Sequence, residues 1–379
     1  MRLFGVPSAR PSTHTPGQRR AAVPAAPKRR GAAPAMAASS VQPAKPGAAN
    51  ILVVAGKETP ELSVLEKLPP GARVLAIGQT AAELDAKGLD WGAVDVLLNC
   101  GVGKNAGKRD DVREMWPRLK NLRWLHSASA GLEHLLFPEL VEGPVVLTNA
   151  KGVYSHSLAE YALTCCSWFA KDFPRLIAAK DAKNWDPYDV EELRGKTLGV
   201  VGYGDIGQAT AKLARAFRMR VIALRRRAEL SEAEKEEGVL DAMYPPEQLP
   251  QLMAASDYVV VATPLTPSTE GLVSREAIAA MRPNGVLVNV GRGRCVDEDA
   301  LIDALRIRHI RGAALDVFAT EPLPASSPLW ELPNVFVSPH CADRTKEFQF
   351  ESLERFVDNV GRYMAGGELL AVADKRSGY

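Results

Sequence analysis

A turn with three glycines, set between an apolar segment and a helix-like segment, constrains the fold of this chain most strongly. The turn follows residues 197–201, TLGVV, and its glycines are Gly202, Gly204 and Gly207. In dinucleotide-binding turns such glycines follow a buried strand and allow a tight turn, close approach of a pyrophosphate and close helix packing. The N-terminus of the next helix offers free N–H groups to phosphate. We therefore predict a dinucleotide site formed by Gly202, Gly204, Asp205, Ile206 and Gly207.

The next predicted strand, RVIAL at 220–224, indicates which dinucleotide fits. An NAD site usually carries an acidic residue about 20 positions after the glycines, where it binds the ribose 2′-hydroxyl. Here the strand is followed by Arg225, Arg226 and Arg227, and guanidinium groups bind a 2′-phosphate through charge-assisted hydrogen bonds. We predict NADPH, with NAD as the alternative cofactor, and contacts from Arg225 and Arg226. The competing interpretation is a solvated basic loop.

The basic residues are concentrated near the N-terminus. Residues 1–50 contain eight Lys or Arg and no acidic residue, whereas the remainder has 39 basic and 45 acidic residues, a net charge of −6. An acid-free, arginine-bearing segment without an apolar core is typical of an organellar transit peptide. We predict a disordered leader over 1–49 that directs the chain to the chloroplast. The alternatives are a mitochondrial address, simple disorder, or a cytosolic form that starts at Met36.

Cysteine usage and hydropathy narrow the class of protein further. The cysteines show no CxxC spacing and no paired framework, which favours free thiols in a reducing compartment; they are Cys100, Cys165, Cys166, Cys295 and Cys341. No group of His, Cys and acidic residues has metal-ligand spacing, so we predict no metal. No apolar run approaches the ~18 residues that a membrane-spanning helix needs. The acidic remainder of the chain gives no indication of nucleic-acid binding.

Strand-like apolar segments alternate with helix-like segments from Asn50 onward. They form two sets, at 51–56, 73–78, 94–101, 122–129 and 145–150, and at 197–201, 220–224, 257–263, 285–290, 312–317 and 335–340. This alternation predicts the α/β class, with two doubly wound parallel-sheet domains. Further helices are predicted over 155–173 and 344–367. Because ligands bind at the carboxyl ends of such strands, we expect the active site in the cleft between the domains.

Charged side chains follow three strands of the second set. Arg292 follows the strand at 285–290, Asp316 and Glu321 lie at and after the end of the next, and His340 ends the last. Arginine can bind a carboxylate through two N–H groups, and a protonated histidine can donate to a carbonyl oxygen. A nearby carboxylate would raise the pKa of that histidine and orient its ring. Facing a nicotinamide, these residues suit reduction of a 2-oxo acid.

From residue 50 to residue 365 the chain resembles the D-isomer-specific 2-hydroxyacid dehydrogenase family. Besides the glycine turn, the resemblance is carried by LRWLHSASAGLEHLL, TNAKGVYSHSLAEYAL, ATPLTPSTEGLV, NVGRG, LDVFATEPLP and SPH. It implies a flavodoxin-like substrate domain, formed by 50–150 and 341–379, and a Rossmann dinucleotide-binding domain over 151–340. The C-terminal helix would then return to the substrate domain. The resemblance also implies a homodimer, with residues 176–196 similar to the dimer arm of the family.

The resemblance also implies roles for individual residues. Arg292 is similar to the substrate-binding catalytic arginine, Glu321 to the acid that pairs with the histidine, and His340 to the general acid/base. The backbone of Ala130 and Gly131 would hold the substrate carboxylate. Thr263, Pro264 and Asp316 would line the cofactor, although a structural turn role fits Asp316 nearly as well. Cys341 to Asp343 replace the small residues common in the family after the histidine, which would alter the pocket.

The expected function is NADPH-dependent reduction of small 2-oxo acids, glyoxylate or hydroxypyruvate, to D-2-hydroxy acids. A D-lactate-type or broad 2-oxo-acid dehydrogenase is the alternative enzyme. Glu321 counts against formate dehydrogenases, and the short segment after residue 365 counts against the larger phosphoglycerate dehydrogenases. A nucleotide-sensing, corepressor-like binding protein is the alternative of another class. The expected partner is a small-molecule 2-oxo acid, with no nucleic acid and no membrane.

Overall fold

The computed structural model describes residues 45–56, 59–100 and 109–378. Most of the predicted leader, residues 1–44, lies outside this part of the chain. The disordered transit peptide, the chloroplast address and the alternative start at Met36 therefore stay predictions. The first strand of the described residues begins at Ala49, one residue before the predicted start of the folded part. None of the described helices combines the length and the apolar character needed to cross a bilayer.

The described residues form twelve strands. They are β1 Ala49–Val54, β2 Ala72–Gly78, β3 Val96–Asn99, β4 Trp124–Ser127, β5 Val146–Asn149, β6 Thr197–Val201, β7 Arg220–Leu224, β8 Ala242–Tyr244, β9 Tyr258–Val261, β10 Val286–Asn289, β11 Gly312–Leu315 and β12 Val335–Val337.

Eleven α-helices and several short 3₁₀ helices connect these strands within the described ranges. The α-helices are α1 Ala81–Ala86, α2 Arg109–Met115, α3 Pro138–Glu142, α4 Ser155–Ala170, α5 Phe173–Asp181, α6 Asp205–Ala216, α7 Glu232–Glu237, α8 Leu249–Ala255, α9 Arg275–Ala279, α10 Glu298–Arg306 and α11 Lys346–Met364. The 3₁₀ helices are Pro60–Lys67, Trp91–Ala93, Trp116–Arg118, Pro246–Gln248, Gly293–Cys295 and Pro328–Trp330.

The strands form two sheets, and every pairing between named strands is parallel. The five-stranded sheet has the order β2-β1-β3-β4-β5, which is the flavodoxin-like order. The seven-stranded sheet has the order β12-β11-β10-β9-β6-β7-β8. If β6 is taken as the first strand, this is the strand order of dinucleotide-binding sheets. The direction in which successive strands are added to the sheet reverses between β6 and β9. The predicted α/β class with two parallel sheets is confirmed.

Helices cover both faces of each sheet. Along β9, Tyr258 and Val260 pack with α4 and α6, whereas Val259 and Val261 pack with α8, α9 and α10 on the opposite face. This alternation follows from the two-residue period of a strand. Because both faces of each sheet are buried, most strand residues are apolar. These continuous apolar segments are the reason that most strands could be predicted from the sequence.

The last helix, α11, packs against the five-stranded sheet although it follows the seven-stranded sheet in the chain. Phe356, Val360 and Tyr363 share a core cluster with Ile51 and Val53 of β1. The hydroxyl of Tyr363 also donates to a carboxylate oxygen of the buried Asp95, at 3.1 Å. The domain boundaries proposed from sequence, at 150/151 and 340/341, stay a prediction.

Two details differ from the sequence-based expectations. Strand β8 was not expected, because it has only three residues, lies at a sheet edge and is followed directly by Pro245. The helix expected over 155–173 ends at Ala170, and α5 begins at Phe173. Asp172, between them, has φ 49°, a left-handed conformation that interrupts a right-handed helix.

The third glycine of the turn is a packing requirement. A Cβ at Gly207 would lie 2.2 Å from the carbonyl oxygen of Gly202, a backbone atom that cannot move unless the turn opens. We expect Gly207→Ala to lower the free energy of unfolding by about 1–3 kcal/mol, as overpacking does. Urea denaturation of the apoprotein measures this change.

Gly361 provides the matched control. It lies within α11, and a Cβ there would meet no heavy atom within 4 Å. Gly361→Ala should leave the protein equally stable or stabilise it by up to about 1 kcal/mol, because alanine favours helix. If Gly207→Ala were as stable as wild type, the proposed close packing of α6 on the turn would be wrong.

Candidate active site

The residues singled out from sequence all follow strands at the carboxyl edges of the two sheets. Ala130 and Gly131 follow β4, the glycine turn follows β6, and the remaining ones are Arg225 after β7, Thr263 after β9, Arg292 after β10, Asp316 after β11 and His340 after β12. Within the larger sheet, β7 and β10 are three strand spacings apart, about 14 Å. The arginine-rich loop and the catalytic candidates therefore lie at separate places along this edge.

The glycine turn has the geometry of a phosphate site. Gly202 has φ +102°, and a Cβ there would lie 2.9 Å from the carbonyl oxygen of Ala262. Gly204 is the N-cap of α6. Within the part of the chain that the structure describes, no side chain caps this helix, and a Cβ at Gly204 would meet no heavy atom within 4 Å. An anion can therefore approach the uncapped N–H groups closely. Asp205, in the first turn, lies 3.9 Å from the Lys151 ammonium group.

Thr263 and Pro264 lie beside this turn. The backbone of Thr263 packs against Gly291, and its methyl group packs against Gly202. Among the described residues, the buried Thr263 hydroxyl has no hydrogen-bond partner, a state that a polar ligand would relieve. The Pro264 carbonyl accepts from the Thr269 hydroxyl at 2.6 Å. The orphaned hydroxyl and the open Gly204 together fit a bound dinucleotide.

Arg225 is largely committed to bonds within its own loop. It forms two hydrogen bonds to the Glu234 carboxylate, at 2.5 and 2.9 Å, and it also donates to the carbonyls of Arg227 and Glu229. Its hydrogen bond to Glu234 is the main cause that holds the pKa of Glu234 down at about 2. Arg226 and Arg227 are exposed. Arg225 therefore shapes the loop, and Arg226 and Arg227 are its exposed neighbours.

Asp316 is buried beneath the histidine-bearing segment. Its carboxylate accepts from the Ser338 hydroxyl at 2.6 Å and from the backbone N–H groups of Cys341 and Ala342 at 3.0 and 3.2 Å. The Tyr161 hydroxyl hydrogen-bonds to Ser338 in turn. These bonds support the structural interpretation of Asp316. Its contact with a cofactor stays a prediction.

His340 is held from two sides. Its backbone N–H donates to the Asp316 carbonyl at 2.8 Å, and its φ is 48°, in the left-handed region that non-glycine residues rarely adopt. Its Nδ1 lies 2.7 Å from a Glu321 carboxylate oxygen, and the other Glu321 oxygen accepts from the Phe318 N–H at 2.9 Å. With Nδ1 donating to Glu321, Nε2 is the ring nitrogen available to a substrate.

The two partners shift each other's pKa in opposite directions. The hydrogen bond to Glu321 is the main cause that raises the pKa of His340, against the effects of burial and of the Arg292 charge. For Glu321, burial acts to raise the pKa, but the bonds from His340 and Phe318 outweigh it, so the pKa is lowered. The pair therefore favours an ionised Glu321 and keeps His340 protonated to a higher pH than an ordinary histidine.

Arg292 connects the two sheets. Its Nε donates to Glu133 at 2.8 Å, and its Nη1 donates to the Gly291 carbonyl at 2.8 Å. Its Nη2 occupies the space beside Gly131, 1.9 Å from where a Cβ would be. Burial acts to raise the pKa of Glu133, but the Arg292 charge and hydrogen bond outweigh it, so this carboxyl too favours its ionised form.

The loop after β4 is fixed by bonds to its carbonyl groups. The Ala128 carbonyl accepts from the hydroxyls of Tyr154 and Ser352, both at 2.6 Å, and the Ala130 carbonyl accepts from the Asn149 amide at 2.7 Å. These bonds hold the backbone on which Gly131 meets the Arg292 guanidinium group. The predicted substrate residues Gly131 and Arg292 are thus brought into direct contact.

Comparison with known proteins identifies the family. The family model for the NAD binding domain of D-isomer specific 2-hydroxyacid dehydrogenases matches residues 164–342. Glyoxylate/hydroxypyruvate reductase B of Pectobacterium carotovorum is 34% identical over 295 residues, which cover 76% of this chain and 89% of that protein. The chain belongs to the D-isomer specific 2-hydroxyacid dehydrogenase family. It is therefore an NAD(P)-dependent oxidoreductase of that family.

Two solved structures of this family are similar over nearly their whole length. One is a D-isomer specific 2-hydroxyacid dehydrogenase from Xanthobacter autotrophicus in complex with NADPH and MES, at 29% identity and a TM-score of 0.71, covering 88% of this chain and 100% of that one. The other is an NADPH-dependent glyoxylate/hydroxypyruvate reductase from Sinorhizobium meliloti in complex with NADP and sulfate. It shows 26% identity, a TM-score of 0.72 and coverage of 87% and 100%.

Sequence reasoning missed two acidic residues of the site. Glu133 lies two positions after Gly131, and its only signal was its place in the LRWLHSASAGLEHLL segment. Glu234 belongs to a capping box with Ser231 at the start of α7, a motif that is visible in the sequence as SEAE. In the described part of the chain, no three His, Cys, Asp or Glu residues form a metal-binding group. The expected absence of a metal stays a prediction.

The charge of Glu321 should control the protonation of His340. We expect Glu321→Gln to lower the pKa of His340 toward the ordinary value of about 6.5, since the amide can still accept a hydrogen bond but carries no charge. An NMR titration of the His340 ring measures this. Glu331→Gln, an exposed change in the same sheet region, is the control and should leave the titration unchanged. An unshifted or raised pKa in Glu321→Gln would refute the coupling.

Proposed function

We propose that this dehydrogenase uses NADPH to reduce small 2-oxo acids, with glyoxylate or hydroxypyruvate as substrate, to D-2-hydroxy acids. The observation that carries the proposal is the His340–Glu321 pair close to Arg292, whose charge acts on the pKa of both. A proton donor and a carboxylate-binding cation are the two groups that reduction of a 2-oxo acid requires. The similarity to a glyoxylate/hydroxypyruvate reductase supports this substrate class.

Each residue has a defined task in this proposal. The N–H groups of Arg292, together with the backbone at Ala130 and Gly131, bind the substrate carboxylate and orient the carbonyl. His340 donates the proton from Nε2 to the carbonyl oxygen, while Glu321 holds the ring by Nδ1 and stabilises its charged form. Bound NADPH supplies the hydride. Because Asp316 fixes the backbone on both sides of His340, the proton donor keeps its position during turnover.

Different residues would bind different parts of the cofactor. The N–H groups at the start of α6 and the glycine turn would bind the pyrophosphate, with Thr263 and Pro264 along its side. The exposed Arg226 and Arg227 would bind the 2′-phosphate, on a loop held in shape by the Arg225–Glu234 pair. The related structures from Xanthobacter autotrophicus and Sinorhizobium meliloti are complexes with NADPH and NADP, which supports this preference.

A substrate and cofactor panel tests the proposal. We expect faster oxidation of NADPH than of NADH, and a higher kcat/KM with glyoxylate or hydroxypyruvate than with pyruvate. Fast pyruvate reduction would favour the D-lactate-type alternative. Nucleotide binding without turnover of any of the three acids would favour the corepressor-like alternative.

Replacement of Arg226 and Arg227 by serine should raise KM for NADPH by at least about tenfold, the effect of losing one charge-assisted hydrogen bond, and change KM for NADH much less. Arg220→Ser, an exposed change at the opposite end of β7, is the matched control. Equal effects on both cofactors would show that the arginine loop is only a solvated loop.

Loss of the proton donor should affect turnover and not cofactor binding. We expect His340→Asn to lower kcat by about 10²–10⁴-fold, the usual contribution of a general acid. The NADPH dissociation constant, measured by nucleotide fluorescence, should change little. His156→Asn, at an exposed position of α4, is the control. Near-normal turnover in His340→Asn would reject the assignment of the acid.

The homodimer and the chloroplast address stay predictions. The described segment that resembles the dimer arm exposes several apolar side chains, among them Leu176, Ile177, Trp185 and Val190. Such a surface is typical of a protein interface. Fusion of residues 1–50 to a fluorescent protein would test the address.

A further inference from the structure

Glu133 is the one acidic residue in direct contact with Arg292 within the described chain. The two residues are 159 positions apart, one after β4 and the other after β10, and their side chains meet at 2.8 Å. Both are roughly two-thirds buried, with 30% of the Arg292 side chain and 36% of the Glu133 side chain exposed. An ion pair at this depth is screened less than one on the surface.

The contact decides which edge of Arg292 can bind substrate. Nε is used by Glu133, and one N–H of Nη1 is used by the Gly291 carbonyl. Three of the five N–H groups of an arginine then remain, all on the terminal nitrogens. A substrate carboxylate can therefore bind across Nη1 and Nη2, next to Gly131, while Glu133 occupies the side edge.

The same contact sets the charge of the site. Arg292 is matched by Glu133, and a protonated His340 is matched by Glu321. Asp316 and Asp343 are close enough to act on the pKa of His340 or to be affected by its charge. The carboxylate in direct contact with the substrate-binding arginine is that of Glu133, 2.8 Å from Arg292 Nε. One substrate carboxylate can bind the terminal nitrogens of Arg292, whereas a second anionic group beside it would lie near the Glu133 carboxylate.

We propose that Glu133 is a positioning residue for Arg292 and that its charge restricts the site to 2-oxo acids with a single negative charge. Glyoxylate and hydroxypyruvate carry one carboxylate, whereas substrates with a second carboxylate or a phosphate are disfavoured. This inference rests on the proposed function, because it assumes that Arg292 binds the substrate carboxylate.

Two product-like anions test the charge filter directly. D-glycerate and tartronate have similar shapes, but tartronate has a second carboxylate where D-glycerate has a hydroxymethyl group. We expect tartronate to inhibit the wild-type enzyme at least about tenfold more weakly than D-glycerate, since one unscreened like charge nearby can cost this much. Equal or tighter inhibition by tartronate would overturn the proposal without any variant.

Two substitutions then separate charge from position. Glu133→Gln keeps an acceptor for Nε but loses the charge, so the ratio of the tartronate to the D-glycerate inhibition constant should fall at least about fivefold. Glu133→Asp keeps the charge but is one methylene shorter, so this ratio should stay near that of wild type while KM for hydroxypyruvate rises about tenfold. Glu139→Gln, which removes the same charge from an exposed pair with Arg113, should change neither value.

An unchanged ratio in Glu133→Gln, or an equal fall in Glu133→Asp, would overturn the proposal. Failure of the proposed function would look different, because wild type would then reduce none of the 2-oxo acids. In that case, calorimetric titration of both anions into the wild-type and variant NADP complexes would still compare their binding, and equal ratios would again overturn the role of Glu133.

Discussion

The Asp316 carboxylate fixes the segment that carries His340, the candidate proton donor. It accepts hydrogen bonds from the Ser338 hydroxyl and from the backbone of Cys341 and Ala342, so both sides of His340 are tied to one buried group. These bonds stabilise the left-handed backbone conformation of His340, which costs free energy. Because the backbone of His340 is fixed, its imidazole ring is already placed for the hydrogen bond to Glu321. Asp316 thus holds the candidate acid–base pair in position.

The fold could be read from the sequence because its strands are buried on both faces. Every predicted segment contains a strand, and RVIAL matches β7 residue for residue. The short edge strand β8 and the break at Asp172 were not predictable, because three residues before a proline and a single left-handed residue leave no periodic signal. Periodicity reports burial, and these features depend on local backbone geometry.

The candidate site was predictable only in part, for a related reason. Arg292, Glu321 and His340 each follow an apolar strand, so topology alone brings them to one edge. Glu133 comes from the other sheet, and nothing in the spacing of 159 residues shows that it would meet Arg292. The ion pair between Arg225 and Glu234 was not predictable either, since it depends on how the loop after β7 folds back onto α7. Contacts between side chains of different strands and loops depend on how these elements pack in three dimensions, which the spacing of residues in the sequence does not show.

The Arg225–Glu234 pair has a consequence for attempts to redesign cofactor choice. Both side chains are mostly enclosed, with 14% and 13% exposed. Replacement of Arg225 alone would remove the cation that pairs with Glu234 and leave that carboxylate with the Ser231 N–H and hydroxyl as donors, so the loop would lose its ion pair. A designer seeking NADH use would leave this pair intact and edit Arg226 and Arg227, the exposed arginines proposed to bind the 2′-phosphate. On that proposal, nucleotide preference and loop architecture can evolve separately, because neighbouring residues carry them.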